Sequence, residues 1–345
     1  MAETVKIIVF DVAADSGGAL STLYSFANRV KTDEENEYVF VTSVASVPEA
    51  SNIECIQYPW VKQSWFHRLA FDAIVARRLI ASTKSDEAVS LQNMLLPFCS
   101  IPQTVYLQTV LPSGLSDYKT SFLREPKLWV YQNVIGRFIV RSLKRCSTLV
   151  VQADWIKRRC IDSLNVDGCS VVVDKEKLSK VECSDWNRER SHDEPYIFAY
   201  PASGFSYKNH GLIVDALKQL DSETLKRMEV IFTLDGNENR YTKGLKKKAA
   251  GLPIQFSGWK PKEQMNCFYD RVDCLLFPST LETVGLPLLE ARSKLMPILA
   301  PNLDYALDVL SGYERVSFFD PSDSTSLANL LQQKVTSANS NCRGQ

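Results

Sequence analysis

Several things are scarce in this chain, and each scarcity closes a possibility. There are three histidines, His67, His192 and His210, and nine cysteines with no C-x-x-C pair among them. Zinc sites draw clustered nitrogen and sulfur ligands from such spacings, so no metal site is expected. The cysteines (Cys55, Cys99, Cys146, Cys160, Cys169, Cys183, Cys267, Cys274 and Cys342) are odd in number and scattered. That reads as reduced structural thiols in a cytosolic protein. No apolar run approaches the roughly 18 residues needed to span a bilayer. The opening "MAETVKIIVFDVAAD" lacks a basic segment ahead of a long apolar core, so it reads as a strand rather than a signal peptide. Neither charge sign is in excess: Lys plus Arg number 40, as do Asp plus Glu. A balanced chain is a poor general nucleic-acid binder, so no nucleic-acid partner is expected.

What is present is a soluble globular profile, 45% hydrophobic and 23% charged over 345 residues. That length suggests two domains of roughly 150 residues each. "VKIIVFDV" is a near-continuous apolar strand, as expected when both faces of a parallel sheet are covered. It runs into Ser16-Gly17-Gly18, read as a flexible loop, and then into a helical apolar spacing from Leu20 to Val30. "EYVFVTSV", "EAVSLQN", "QTVYLQTV" and "STLVVQAD" are further strands, and "QSWFHRLAFDAIVARRLIAS" is a helix. From Val173 the composition turns charged and apolar-poor, and then a second strand–helix series begins at "YIFAYPAS". The spacing therefore predicts an α/β protein of two Rossmann-like, doubly wound domains facing across a cleft. The first covers residues 1–173, a linker region 174–194 and the second 195–330, with a frayed tail at 331–345. Ligands of such sheets bind at the carboxyl ends of the strands.

The densest chemistry lies in "LETVGLPLLE", Leu281 to Glu290, between the strand "CLLFPS" and a helix. Pro287 suits the first helical position. Glu282 then falls in the loop and Glu290 in the first turn. The backbone amides of Thr283, Val284, Gly285 and Leu286 would point from a helix N-terminus, which favours an anion such as phosphate. Gly285 permits close backbone approach. Carboxylates on either side would accept hydrogen bonds from vicinal hydroxyls. A nucleoside-diphosphate sugar offers that pattern, with ribose on one side of its pyrophosphate and hexose on the other. The alternative is that both acids merely decorate a helix start.

The E-x7-E pattern with its central glycine resembles the retaining family-4 glycosyltransferases of the GT-B fold, and within them the bacterial surface-polysaccharide enzymes. Gly17 and Gly18 match that family's N-terminal glycine pair. "YPASGFSYKNHGLIVDAL" matches the segment carrying its diphosphate-binding lysine, and "FSGW" the loop beside the nucleobase. The resemblance implies that Glu282 holds the donor sugar, Glu290 the ribose, the Gly285 and Leu286 amides the distal phosphate and Lys208 the diphosphate. Gly258 and Trp259 would lie near the base. Two positions depart from the family. Ser203 stands where an arginine is common, and Gln108 where a histidine is, so Gln108 would hydrogen-bond a sugar hydroxyl without titrating. Glu282, Lys208 and Gln108 are thus the implied catalytic set. No Asp-x-Asp triplet occurs, and the resemblance implies no cofactor and no metal.

For the acceptor, Gln92 and Asn93 at the end of "VSLQN" could hold hydroxyls with Gln108, or simply cap a turn. In "FLREPKLWVYQNVIGRFIVRSLKRC", Tyr131, Ile135, Phe138, Ile139 and Leu143 share one side of a helical wheel and Arg137, Arg141, Lys144 and Arg145 another. Such a helix can lie on an anionic membrane or pack its apolar side into the core. Trp60, Trp65 and Phe66 could flank the same surface or be core. The expectation is a cytoplasmic hexosyltransferase, peripheral on the inner face of the membrane, acting on a lipid-linked glycan of O-antigen or capsule type. A noncatalytic nucleotide-sugar-binding subunit and a GT-B epimerase or hydrolase stay open beside it.

Overall fold

The structure, a computed structural model, describes the chain except for residues 1–3, 16, 124, 165–169, 176–187, 189, 192–193 and 342–345. Most of the expected linker lies outside the described residues, as do Cys169, Cys183, Cys342 and His192. The chain divides into two compact units, Met1–Asp174 and Lys175–Gln345.

In the first unit, β1 (Lys6–Asp11) leads through α1 (Gly17–Val30) to β2 (Glu37–Thr42) and β3 (Ile53–Gln57). Next come α2 (Trp65–Ala70), α3 (Ala76–Thr83), β4 (Glu87–Ser90) and β5 (Gln103–Tyr106). The unit ends with α4 (Pro126–Val130), α5 (Gly136–Leu143), β6 (Thr148–Val151), α6 (Asp154–Leu164) and β7 (Ser170–Val173). All seven strands are parallel, in the order β3-β2-β1-β4-β5-β6-β7. Side chains alternate between the two faces. Val9, Tyr38 and Phe40 pack on Leu23, Phe26 and Val30 of α1. Ile8, Phe10, Val39 and Val41 pack instead on Phe71 and Ile80. Each fully buried side chain of this kind contributes about 1.5–3 kcal/mol.

Two long helical stretches carry a wide π turn, Phe71–Val75 between α2 and α3 and Tyr131–Ile135 between α4 and α5. A π turn adds one residue to a helical repeat and shifts the phase of everything after it. This corrects the expected wheel of the basic helix: Ile139 and Leu143 are buried, whereas Phe138 is 63% exposed. A second correction concerns the glycine pair. Gly17 opens α1, with Gly18 behind it, so the pair lies within a helix rather than in a loop.

The second unit comprises β8 (Tyr196–Tyr200), α7 (His210–Leu217), α8 (Ser222–Lys226), β9 (Met228–Phe232), α9 (Arg240–Lys248), β10 (Ile254–Phe256) and α10 (Lys262–Tyr269). These are followed by β11 (Cys274–Leu276), α11 (Leu286–Ser293), β12 (Ile298–Pro301), α12 (Asp304–Val309), β13 (Val316–Phe319) and α13 (Ser324–Asn341). Its parallel sheet is ordered β10-β9-β8-β11-β12-β13. α13 continues to Asn341, where a frayed tail was expected. In both sheets the strand order reverses next to the unit's first strand, between β1 and β4 and between β8 and β11. Open α/β sheets hold ligands at the carboxyl side of such a reversal.

Candidate functional site

At the reversal of the second sheet, Lys208 follows β8 and Glu282 follows β11. The two side chains meet: Lys208 Nζ lies 2.5 Å from Glu282 Oε1, with only 15% and 14% of the side chains exposed. The local fold explains the meeting. The Tyr207 carbonyl accepts from both the Thr280 amide (2.8 Å) and the Thr280 hydroxyl (3.0 Å). That clamp sets the loop after β11 beside the loop after β8. Tyr200, fully buried in β8, donates its hydroxyl to the Lys208 carbonyl at 2.7 Å. Asn209 then turns the chain in the left-handed region (φ 56°), which asparagine tolerates. Taking a charge pair out of water is costly unless geometry and further hydrogen bonds offset it. A mostly desolvated Lys–Glu pair at a ligand-binding edge is therefore a candidate site on physical grounds.

Beside this pair stands the N-terminus of α11. The helix starts at Leu286, so Pro287 is its second residue and Glu290 lies beyond the first turn, where the sequence placed it in the first. Gly285 caps the helix at φ 72° and is buried. A Cβ there would approach Leu288 Cδ1 to 3.2 Å and Phe277 Cε1 to 3.4 Å, so glycine is required by conformation and by space. The first amides of a helix have no intrahelical partner and carry its positive dipole end. Val284 is buried, while Leu286 is 40% exposed. Glu290 Oε2 accepts the Tyr269 hydroxyl at 2.7 Å, and burial raises the Glu290 pKa above the usual carboxylate value. Tyr269 escaped the sequence reading because nothing in "NCFYD" signals a contact with the next helix.

Other expected residues fall around the same strand ends. Ser203 is exposed in the loop after β8. Gly258, at φ 74°, and Trp259, 80% exposed, follow the edge strand β10. His210 adjoins Lys208 in sequence but belongs to the core. It is buried against Tyr200 and Phe232, with ring centroids 4.6 and 5.1 Å away, and burial lowers its pKa to about 3.

In the first unit the structure brings Gln92, Asn93 and Gln108 together. Asn93, at φ 69°, accepts the Gln108 amide on Oδ1 at 2.5 Å, and Gln108 Nε2 donates to the Leu91 carbonyl. These side chains tie the loops after β4 and β5 to each other. A Cβ at Gly18 would meet nothing within 4 Å, so packing does not require that glycine. Along α4 and α5, Val130, Val134 and Phe138 form an exposed apolar row beside Arg137, Arg141 and Lys144. Ser113, Asn133 and Val140 complete a shallow groove of about 660 Å³ there. Of the tryptophan cluster, Trp60 packs on Phe71 and His67, whereas Trp65 and Phe66 are exposed.

Among the described residues, Cys55, Cys99, Cys146, Cys160, Cys267 and Cys274 are not joined in disulfides. No group of three or more His, Cys, Asp or Glu side chains among them is placed to hold a metal ion. No helix of the described residues is long and apolar enough to cross a membrane.

Residues 184–342 match the family model described as Glycosyl transferases group 1. No curated protein matches the chain. Among solved structures, sucrose-phosphate synthase (tll1590) from Thermosynechococcus elongatus aligns with a TM-score of 0.74 at 14% identity, over 98% of this chain and 91% of that one. Anabaena Alr3699/HepE in complex with UDP-glucose aligns with a TM-score of 0.67 at 15% identity, over 96% and 90%. WaaG, a glycosyltransferase involved in lipopolysaccharide biosynthesis, aligns with a TM-score of 0.64 at 13% identity, over 99% and 96%. At such identities the likeness carries the fold: two parallel-sheet α/β domains of GT-B type.

Proposed function

We propose that the chain is a retaining, family-4 hexosyltransferase. It moves a hexose from a nucleoside-diphosphate sugar to a lipid-linked glycan in surface-polysaccharide synthesis. The observation that carries this reading is the Lys208–Glu282 pair at 2.5 Å, beside the N-terminus of α11 at the reversal of the second sheet.

In this reading the pyrophosphate takes the Gly285 and Leu286 amides and draws on the Lys208 ammonium. Glu282 holds the Lys208 ammonium in place and accepts from hexose hydroxyls. Glu290, with one oxygen fixed by Tyr269, accepts from the ribose. Gly258 and Trp259 border the base. Ser203 leaves the diphosphate without the arginine common at that position. As the bond from the sugar carbon to the phosphate oxygen breaks, its electron pair moves to the phosphate. The negative charge develops where Lys208 and the helix terminus already supply positive potential, so little reorganisation is needed. The acceptor oxygen attacks from the same face, and its proton passes to the leaving phosphate. No divalent metal enters these steps.

Gln92, Asn93 and Gln108 serve the acceptor in the first unit. The exposed apolar row of α4 and α5 beside Arg137, Arg141, Lys144 and Arg145 supports contact with an anionic bilayer, on the cytoplasmic face where nucleotide sugars are available. The lipopolysaccharide role of WaaG and the UDP-glucose held by HepE point to a UDP-hexose as the first donor to try.

Isothermal titration with UDP, GDP, dTDP and their hexose conjugates tests the donor reading. One nucleotide should bind wild type, and Lys208→Ala should weaken it. A folded protein that binds none of them overturns the proposal. NMR of the product anomer tests retention, and an inverted product overturns that part. Release of only free or epimerised sugar would favour a hydrolase or epimerase.

A further inference from the structure

The loop after β8 reads "SGFSYKNH", a polar and small-residue segment with two aromatics in it. Phe205 is 45% exposed and Tyr207 partly buried, so neither ring belongs to the core. The two rings lie 8° from parallel with centroids 5.4 Å apart, the offset stack that aromatic pairs favour. The Tyr207 ring also faces the ammonium of Lys208, whose Nζ lies over it at 5.4 Å from the centroid. A cation within about 6 Å of a ring face is attracted by the ring's quadrupole.

This geometry is imposed from both sides of the loop. The Tyr207 carbonyl accepts from the Thr280 amide and hydroxyl and, at 3.4 Å, from the Ser279 hydroxyl. On the other side the Gly204 carbonyl accepts from Asn239 Nδ2 at 2.7 Å, and Asn239 is the N-cap of α9. Gly204 lies against Thr242, where a Cβ would collide with the threonine methyl. The aromatic pair is thus fastened both to the loop that carries Glu282 and to the start of α9.

An ammonium has three N–H donors, and Glu282 accepts one from Lys208. A second carboxylate in place of the ring would also hold the lysine, but it would make the cluster net negative and repel an anionic ligand. A ring face attracts the cation and adds no charge. We infer that Tyr207 is a positioning residue for Lys208, acting through this cation–π contact and backed by Phe205. Its part in the reaction rests on the transferase reading. There the ring keeps the ammonium where negative charge develops on the leaving phosphate, so losing the ring falls on kcat rather than on KM.

Fluorinated phenylalanines at position 207 test the contact, because fluorine drains negative charge from the ring face with little change of shape. Acetylation of Lys208 by acetic anhydride, read by mass spectrometry, reports the restraint with no nucleotide present. Turnover reports its consequence. Tyr207→Phe keeps the ring and should match wild type in both. Each added fluorine should speed acetylation and lower kcat in step. The trifluorinated ring and Tyr207→Leu should each lose about tenfold in kcat with KM unchanged, and Phe205→Leu should lose less. The fluorine series decides the matter even if Tyr207→Leu fails to fold. Acetylation that ignores the number of fluorines overturns the inference, and so does a Tyr207→Phe variant as impaired as Tyr207→Leu. Graded acetylation in a chain that binds none of UDP, GDP and dTDP would leave the contact standing and the transferase reading overturned.

Discussion

Tyr269 and Glu290 stand on neighbouring helices, α10 and α11, and are joined by a 2.7 Å hydrogen bond from the buried phenol to one carboxylate oxygen. The bond leaves Glu290 one oxygen for a ligand and fixes its direction. Tyr269→Phe should therefore weaken nucleotide binding severalfold and lower stability by about 1 kcal/mol, the net worth of such a bond. Glu290→Ala should cost more in affinity, about 1–3 kcal/mol. Calorimetric titration and urea denaturation of both variants check the order; equal affinity of Tyr269→Phe and wild type would remove Tyr269 from the site.

Lys208 and Glu282 should behave as a unit. Removing one partner of a mostly buried pair leaves the other charge uncompensated, at about 3–5 kcal/mol. Lys208→Ala and Glu282→Ala should each be strongly destabilising, and the double variant less so than their sum. A double-mutant cycle in urea measures the coupling. Lys208→Ala should also reduce turnover by about 10²-fold or more, as expected for loss of preorganised positive charge at a leaving group.

Two buried groups set opposite pH slopes. Burial raises Asp11 from near 3.8 to about 7, so the folded state binds the proton more tightly than the unfolded state does. Stability from this group is full at acidic pH and is lost as pH rises toward 7, by about 4 kcal/mol. Burial lowers His210 from 6.5 to about 3, so its contribution is present above 6.5 and lost as pH falls toward 3. Asp11→Asn should flatten the neutral limb and His210→Phe the acid limb. Urea midpoints measured across pH 4 to 8 check the signs.

The chain should float with vesicles containing anionic phospholipid and not with zwitterionic ones. Each basic residue near such a surface contributes about 1 kcal/mol. Arg137→Glu with Arg141→Glu should abolish flotation, Phe138→Ser should weaken it, and salt should reverse it. Undiminished flotation of the charge-reversed chain would place the membrane contact elsewhere.

The fold was legible wherever a strand is buried on both faces, because "VKIIVFDV" and "CLLFPS" announce themselves by continuous apolar residues. β3 was not, since an edge strand reading "IECIQ" buries none of its residues fully. In the second unit the loop, the Gly285 cap and the helix start near Leu286 were legible because they follow one another in sequence. The Tyr269 contact was not, because it arises from tertiary structure: the phenol reaches a carboxylate on the next helix. The basic helix was misread at Phe138 because that residue stands about 100° around the helix from Ile139, at the margin of the apolar stripe, where composition does not tell edge from core.

That wide turn works as a phase shifter. A helix of constant pitch from Pro126 to Leu143 would have to choose one stripe for the core along its whole length. With one extra residue at Tyr131–Ile135, the leading half can dock on one set of neighbours while the trailing half sinks Ile139 and Leu143 and turns Phe138 outward. Deleting a single residue there would rotate the trailing half by about 100°, driving Phe138 toward the sheet and Ile139 out of it. The outward chemistry of this helix thus depends on a residue count rather than on any side chain.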